Sequence, residues 1–168
     1  MAVLLAHRRR PRGRREPRVL EGYQRLLVPI AGNPQSEEAV DVASRLAAEH
    51  GSSITVVAVV EVPPVLPLDA HMREEEARAH ALLCRAAAAA ESYGVTAALE
   101  TRRARDAASA IVSESVARNT QLLVIGAPRR PSSKRSVAIF GHTVEHVLKH
   151  APCRVMIVGP VIRQQPAA

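Results

Sequence analysis

Gln121-Leu122-Leu123-Val124-Ile125-Gly126 is the stretch from which the rest of the chain can be read. A run of apolar residues closed by glycine suits a strand buried on both faces. A polar, basic segment follows: Ala127-Pro128-Arg129-Arg130-Pro131-Ser132-Ser133-Lys134-Arg135-Ser136. Gly141-His142-Thr143 then opens a segment with Val144, Val147 and Leu148 at helical spacing, and Pro152 ends it. A second apolar run, Val155-Met156-Ile157-Val158, completes a unit of strand, long loop, helix and strand. Ligands of open parallel sheets sit outside the carboxyl ends of the strands, where helix N-termini present free N–H groups. Long loops in compact domains usually carry function or move, so the segment from Gly126 to Gly141 is the first place to look for a site.

Toward the N-terminus the same alternation repeats. Arg25-Leu26-Leu27-Val28-Pro29-Ile30 reads as a first strand whose ladder Pro29 cuts short. Ala31-Gly32-Asn33-Pro34 is turn chemistry, and Ser36 before Glu37 and Glu38 is the expected N-cap of a helix. Val40, Ala43, Leu46 and Ala47 line that helix, and Gly51 stops it. Residues 53–62 form a β-branched strand, and Pro63, Pro64 and Pro67 make an extended loop. Residues 69–93 read as an Ala-rich helix with Leu82, Leu83 and Ala86 on its inner face. Alternation at Val95, Ala97, Leu99 and Thr101 predicts a third strand over 95–102. Residues 106–118 predict a third helix with Ala107, Ala110, Ile111 and Ser115 or Val116 inward. Strands alternating with helices imply an α/β fold: a five-stranded parallel, doubly wound sheet with helices on both faces. If the last apolar strand lies at an edge, pairing with a second copy would cover it.

Composition sets bounds. The chain has 168 residues, 47% of them apolar, enough for one domain with a sizeable core. Trp is absent, Phe occurs once and Tyr twice, which argues against single-stranded nucleic acid binding through stacked bases. Six of the seven units of net positive charge sit in residues 1–18, where seven Arg face only Glu16. The expected organisation is therefore a basic arm over 1–21, a domain over 22–162 and a tail over 163–168. Met1-Ala2-Val3-Leu4-Leu5-Ala6 precedes the Arg run, the reverse of a secretory signal. The arm reads as a disordered basic tail, as a juxtamembrane segment serving a membrane transporter or an anionic membrane surface, or as a non-specific phosphate contact. No specific nucleic acid partner is expected. Cys84 and Cys153 make neither a disulfide framework nor a zinc site and read as small buried residues. A cytoplasmic location follows as the expectation, with membrane association through the arm left open.

Taken together, these blocks resemble the universal stress protein family over about residues 23–160. The match rests on the first strand with its glycine turn and Ser36-Glu37-Glu38-Ala39, and on Leu122-Leu123-Val124-Ile125-Gly126. Its most specific part is Val144-Glu145-His146-Val147-Leu148-Lys149-His150-Ala151-Pro152-Cys153-Arg154-Val155-Met156-Ile157-Val158. The resemblance implies a fold like that of the adenine nucleotide alpha-hydrolases and a regulatory stress-response role. It also implies a homodimer formed through Val155, Met156, Ile157 and Val158.

Many members of the family bind ATP through Gly, two residues, Gly, nine residues, Gly and Ser or Thr. Here those positions fall on Gly126, Arg129, Gly141 after eleven residues, and His142 with Thr143 beside it. The family's acid at the end of the first strand, after Pro29 and Ile30, falls on Ala31, and its adenine-reading backbone falls on Val59. Arg129 replaces a glycine that lets backbone approach phosphate, and Ala31 lacks the charged acceptor. Arg129, Arg130, Lys134 and Arg135 nevertheless crowd a helix start that attracts anions. ATP, another adenine nucleotide or a different anionic ligand all stay open, as does a ligand-free regulatory module. His142, His146 and His150 share a face, but no acid is evidently placed to complete a metal site with them. Ser132, Ser133, Ser136 and Thr143 are basic-flanked hydroxyls. No nucleophile, base and orienter set is legible, so no enzyme is expected, with weak ATP hydrolysis left open.

Overall fold

A computed structural model describes residues 22–127 and 140–160. The arm, most of the basic loop including Arg129 and Arg130, and the tail lie outside the described residues. The elements run β1 (Arg25–Ile30), α1 (Pro34–His50), β2 (Ser53–Glu61), α2 (Arg73–Ser92), β3 (Ala98–Ala104), α3 (Ala107–Ala117), β4 (Leu122–Gly126), α4 (His142–His150) and β5 (Arg154–Val158). The strands form one sheet in the order β3-β2-β1-β4-β5, and every paired neighbour is parallel. This is the expected doubly wound sheet. Apolar strands can be buried on both faces only if helices cover both.

Alternate strand residues face opposite layers. Leu26, Val28, Ile54, Val56, Leu122 and Val124 pack with Ala39, Val40 and Ala43 of α1 and Ala79, Leu83 and Ala86 of α2. Leu27, Val57, Leu123 and Ile125 pack with Ile111 of α3 and Val144 and Val147 of α4. The alanine-lined faces of α1 and α2 let those helices lie close to the sheet, which explains a core almost without aromatic rings.

Several local expectations are corrected. Asn33 caps α1: its Oδ1 accepts from Ser36 N at 2.8 Å, and Pro34 opens the helix. Ser36 is instead a buried third helical residue, and its Oγ accepts from Ala31 N and donates to Asn33 O. β3 begins at Ala98 because Val95 and Ala97, which mimic strand alternation, pack against the core from the connection after α2. α2 begins at Arg73, after turns closed by Leu66 N to Pro63 O and Ala70 N to Pro67 O. Cys84 is exposed, because the buried stripe of α2 is Ala79, Leu83, Ala86 and Ala90. Leu148 and Val116 also face outward, at 45% and 57% exposure, since the inner faces are filled by Val144 and Val147 and by Ile111 with Ser115.

One buried charge was not anticipated. Glu114 of α3 is 5% exposed and takes Arg102 of β3 as a fork, Nε to Oε2 at 2.7 Å and Nη2 to Oε1 at 3.1 Å. Arg118 donates to Glu114 and to Glu100, closing a four-residue network between the edge strand and its helix. Hydrogen bonding by Arg102, then by Arg118, holds the Glu114 carboxyl below its ordinary range against the cost of burial.

Candidate functional site

The peptide groups of β1 point alternately to its two neighbours. Ser53 N donates to Gln24 O, so Leu26, Val28 and Ile30 serve β2; Gln121 N donates to Arg25 O, so Leu27 and Pro29 serve β4. Pro29 has no N–H to give. The ladder to β2 accordingly reaches Ile30↔Ala58, whereas the ladder to β4 covers only Leu26↔Leu122 and Leu27↔Leu123. The sheet opens between the carboxyl ends of β1 and β4. This is also where strand order reverses, the usual position of a ligand crevice.

Ala31 leaves β1 exposed on one side of the opening, while Pro29 and Ile30 are buried beneath it. Gly126 ends β4 on the other side. A Cβ there would stand 2.3 Å from Gln35 C and O and 2.4 Å from Ser36 N. No side chain fits, so glycine is what lets the first turn of α1 lie against β4. Val59 is half-buried on the layer of α3 and α4, one strand away.

Of the four helices that begin at this end of the sheet, α1 and α3 have first-turn N–H groups taken by side chains, whereas α2, behind Met72, and α4 have no such cap among the described residues. At α1, Asn33 takes Ser36 N through its side chain. At α3, Asp106 Oδ2 accepts from Ser109 N at 2.7 Å and Ser109 Oγ at 2.6 Å, while Glu61 Oε1 accepts from Ala107 N at 2.8 Å. Those Ser109 bonds, with smaller help from His142 and His146, hold the Asp106 carboxyl below its usual range. At α4, Gly141 is the N-cap with no side chain to bond, at φ −72° and with no described atom within 4 Å of where a Cβ would stand. The first N–H groups of α4, from His142 onward, carry the positive end of a helix dipole, and no side chain among the described residues caps them.

Ala31 and Gly126 stand at the ends of the neighbouring strands β1 and β4, and Gly141, His142 and Thr143 open α4, the helix that follows β4. Arg129 and Arg130 lie outside the described residues. Sequence reasoning missed Glu61 and Asp106, although Asp106 three residues before Ser109 is a helix-start signature. Asp106 Oδ1 also lies 3.8 Å from His142 Nε2, so an acid does face the histidine stripe. His142 and His146 are 6.0 Å apart between ring centroids and His146 and His150 stack at 4.2 Å, and among the described residues no three such groups converge as a metal site.

A model of the universal stress protein family matches residues 22–159. The chain belongs to the universal stress protein family. The crystal structure of a family protein from Burkholderia pseudomallei is similar at 22% identity, with a TM-score of 0.63 over 81% of this chain and 96% of that one. The universal stress protein from Archaeoglobus fulgidus in complex with dAMP is similar at 17% identity and a TM-score of 0.64, over 81% and 98%. An Arabidopsis thaliana family protein with AMP bound is similar at 16% identity and a TM-score of 0.61, over 83% and 93%. At these identities the likeness is one of fold. No curated protein matches the chain. In this universal stress protein domain no described helix is long and apolar enough to cross a membrane.

Proposed function

We propose that this universal stress protein domain is a regulatory binding module that takes an adenine nucleotide or another phosphate-bearing ligand in the crevice between β1 and β4. The start of α4 supports this reading: no described side chain caps it, and it follows β4, one of the two strands that part at the strand-order reversal. His142 and Thr143 would flank the phosphate, and Ala31 and Val59 would border the nucleoside. The solved relatives with dAMP and AMP support an adenine nucleotide as the first ligand to try. The absence of a carboxylate at position 31 and the carboxylates of Glu61 and Asp106 nearby favour a weakly held anion over tightly held ATP. The role is binding without turnover. Calorimetric titration with AMP, ATP and a cyclic dinucleotide is expected to show heat for at least one, with a matching thermal shift. No heat and no shift for all three would remove the reading.

The same module works as a homodimer joined through β5, whose Val155, Met156 and Ile157 are only partly covered at the sheet edge. A second reading, attachment to an anionic membrane surface or a membrane transporter, is favoured by the apolar stub and seven Arg of the arm. Sedimentation with anionic and neutral liposomes tests it. Equal binding by the full chain and by residues 22–168 would exclude the arm as the contact.

A further inference from the structure

The described surface holds one pair of thiol and imidazole, far along the chain from the crevice residues. His80 and Cys84 are one turn apart on the outer face of α2, both exposed. Cys84 Sγ lies 3.7 Å from His80 Nδ1 and 3.9 Å from Nε2. A zinc ion bonded to sulfur at about 2.3 Å and to nitrogen at about 2.0 Å in tetrahedral geometry holds its donors about 3.6 Å apart. The pair is already at about that separation.

The surroundings suit chelation better than catalysis. Ala77, Ala81 and Ala88 leave the outer side open to solvent, and the exposed Arg78 and Arg85 beside the pair are drawn to Glu74 and Glu37. No carboxylate among the described residues bonds His80 to orient it as a base for the thiol. The contrast is Cys153, partly covered beneath α4, whose thiol burial pushes up and which has no imidazole partner among its hydrogen bonds.

We propose that His80 and Cys84 form a surface chelate for a thiophilic d10 cation such as Zn²⁺ or Cd²⁺, with water completing the coordination sphere. On binding, the metal–sulfur bond replaces the S–H bond and the proton leaves to solvent, so the metal keeps its oxidation state. The site is independent of the nucleotide reading.

Cadmium chloride titrated into the full chain, followed by sulfur-to-cadmium charge-transfer absorbance, is expected to saturate at one equivalent. Zinc chloride added afterwards is expected to displace it and lower the band. The readout needs a thiolate, so metal held by His142, His146 or His150 alone does not register. Cys84→Ser is expected to abolish the band, and Cys153→Ser to leave its midpoint unchanged. His80→Ala and His80→Gln, both exposed and compatible with a helix, are expected to weaken binding about tenfold or more, the loss that even outer-sphere partners commonly cause. A missing band, a band that survives Cys84→Ser, or a midpoint indifferent to both His80 substitutions would overturn the assignment.

Discussion

At one edge of the sheet, β3 presents Glu100, Arg102 and Arg103; at the other, β5 presents Val155, Met156, Ile157 and Val158. Both strands have a single hydrogen-bonded neighbour and so expose a row of N–H and C=O groups. β3 buries little of its side-chain surface, and charge adds to its seven-pair ladder with β2. Glu114 reaches up from α3 to Arg102, and Arg118 ties in Glu100. A desolvated carboxylate answered by two guanidinium groups anchors this strand, and its remaining charges discourage a further strand from adding. β5 has no comparable guard. Val158 O accepts from Ala127 N, so Arg154, Met156 and Val158 turn their peptide groups to β4, and Val155 and Ile157 turn theirs outward. The difference gives the proposed homodimer its direction: the charged edge discourages strand addition, and the apolar edge has no such guard.

The strongest way to break that contrast is Ile157→Pro. It removes an outward N–H while leaving the ladder to β4 intact. Self-association, read by sedimentation velocity, is expected to weaken at least about a hundredfold, with the monomer still folded. An unchanged sedimentation coefficient would mean that β5 is not the contact. Next in size is Glu114→Ala, which strands two arginines at the β3 edge. Breaking a buried pair costs about 3–5 kcal/mol, but Arg102 and Arg118 reach solvent, so about 2 kcal/mol is expected, with dimerisation untouched. Thermal unfolding should show this as a drop of about 4–8 °C.

Acid sharpens the same difference. Glu114 has a folded pKa below its unfolded one, so its contribution is complete above about pH 4.3 and is lost as pH falls through the lower folded value. Stability is expected to decline in that window, and Glu114→Gln should flatten the decline. Coincident acid-unfolding profiles for the two proteins would show that the network adds nothing. The smallest effect belongs to Leu99→Lys, at a residue 40% exposed on β3. A stability change within about 0.5 kcal/mol and unaltered self-association are expected, and a dimer lost here would reverse the comparison.

Much of this was legible in residue order. Apolar runs at 26–28, 54–60 and 122–125 announced buried parallel strands, because only strands covered on both faces tolerate so little alternation. Edge strands are harder to see. β3 earns its place through long-range ion pairs, so the visible alternation pointed three residues too early, to Val95. The outward turn of Cys84 was equally hidden, since an alanine-rich helix offers several faces that could be buried. At the candidate site, Gly126 and Gly141 were visible as glycines, but their different reasons were not. Gly126 is required by the approach of α1, whereas no described atom crowds Gly141.

By itself the sequence determined the α/β alternation, the five strands and the concentration of charge in the arm, all properties of neighbouring residues. Only tertiary structure decided that Pro29 faces β4 and so opens the crevice, that Glu61 and Asp106 cap the start of α3 while no described side chain caps α4, and that Glu114 locks one edge. The physical reason is the same throughout: hydrogen-bond direction and charge pairing depend on which distant segments meet, and a linear pattern carries no record of that meeting.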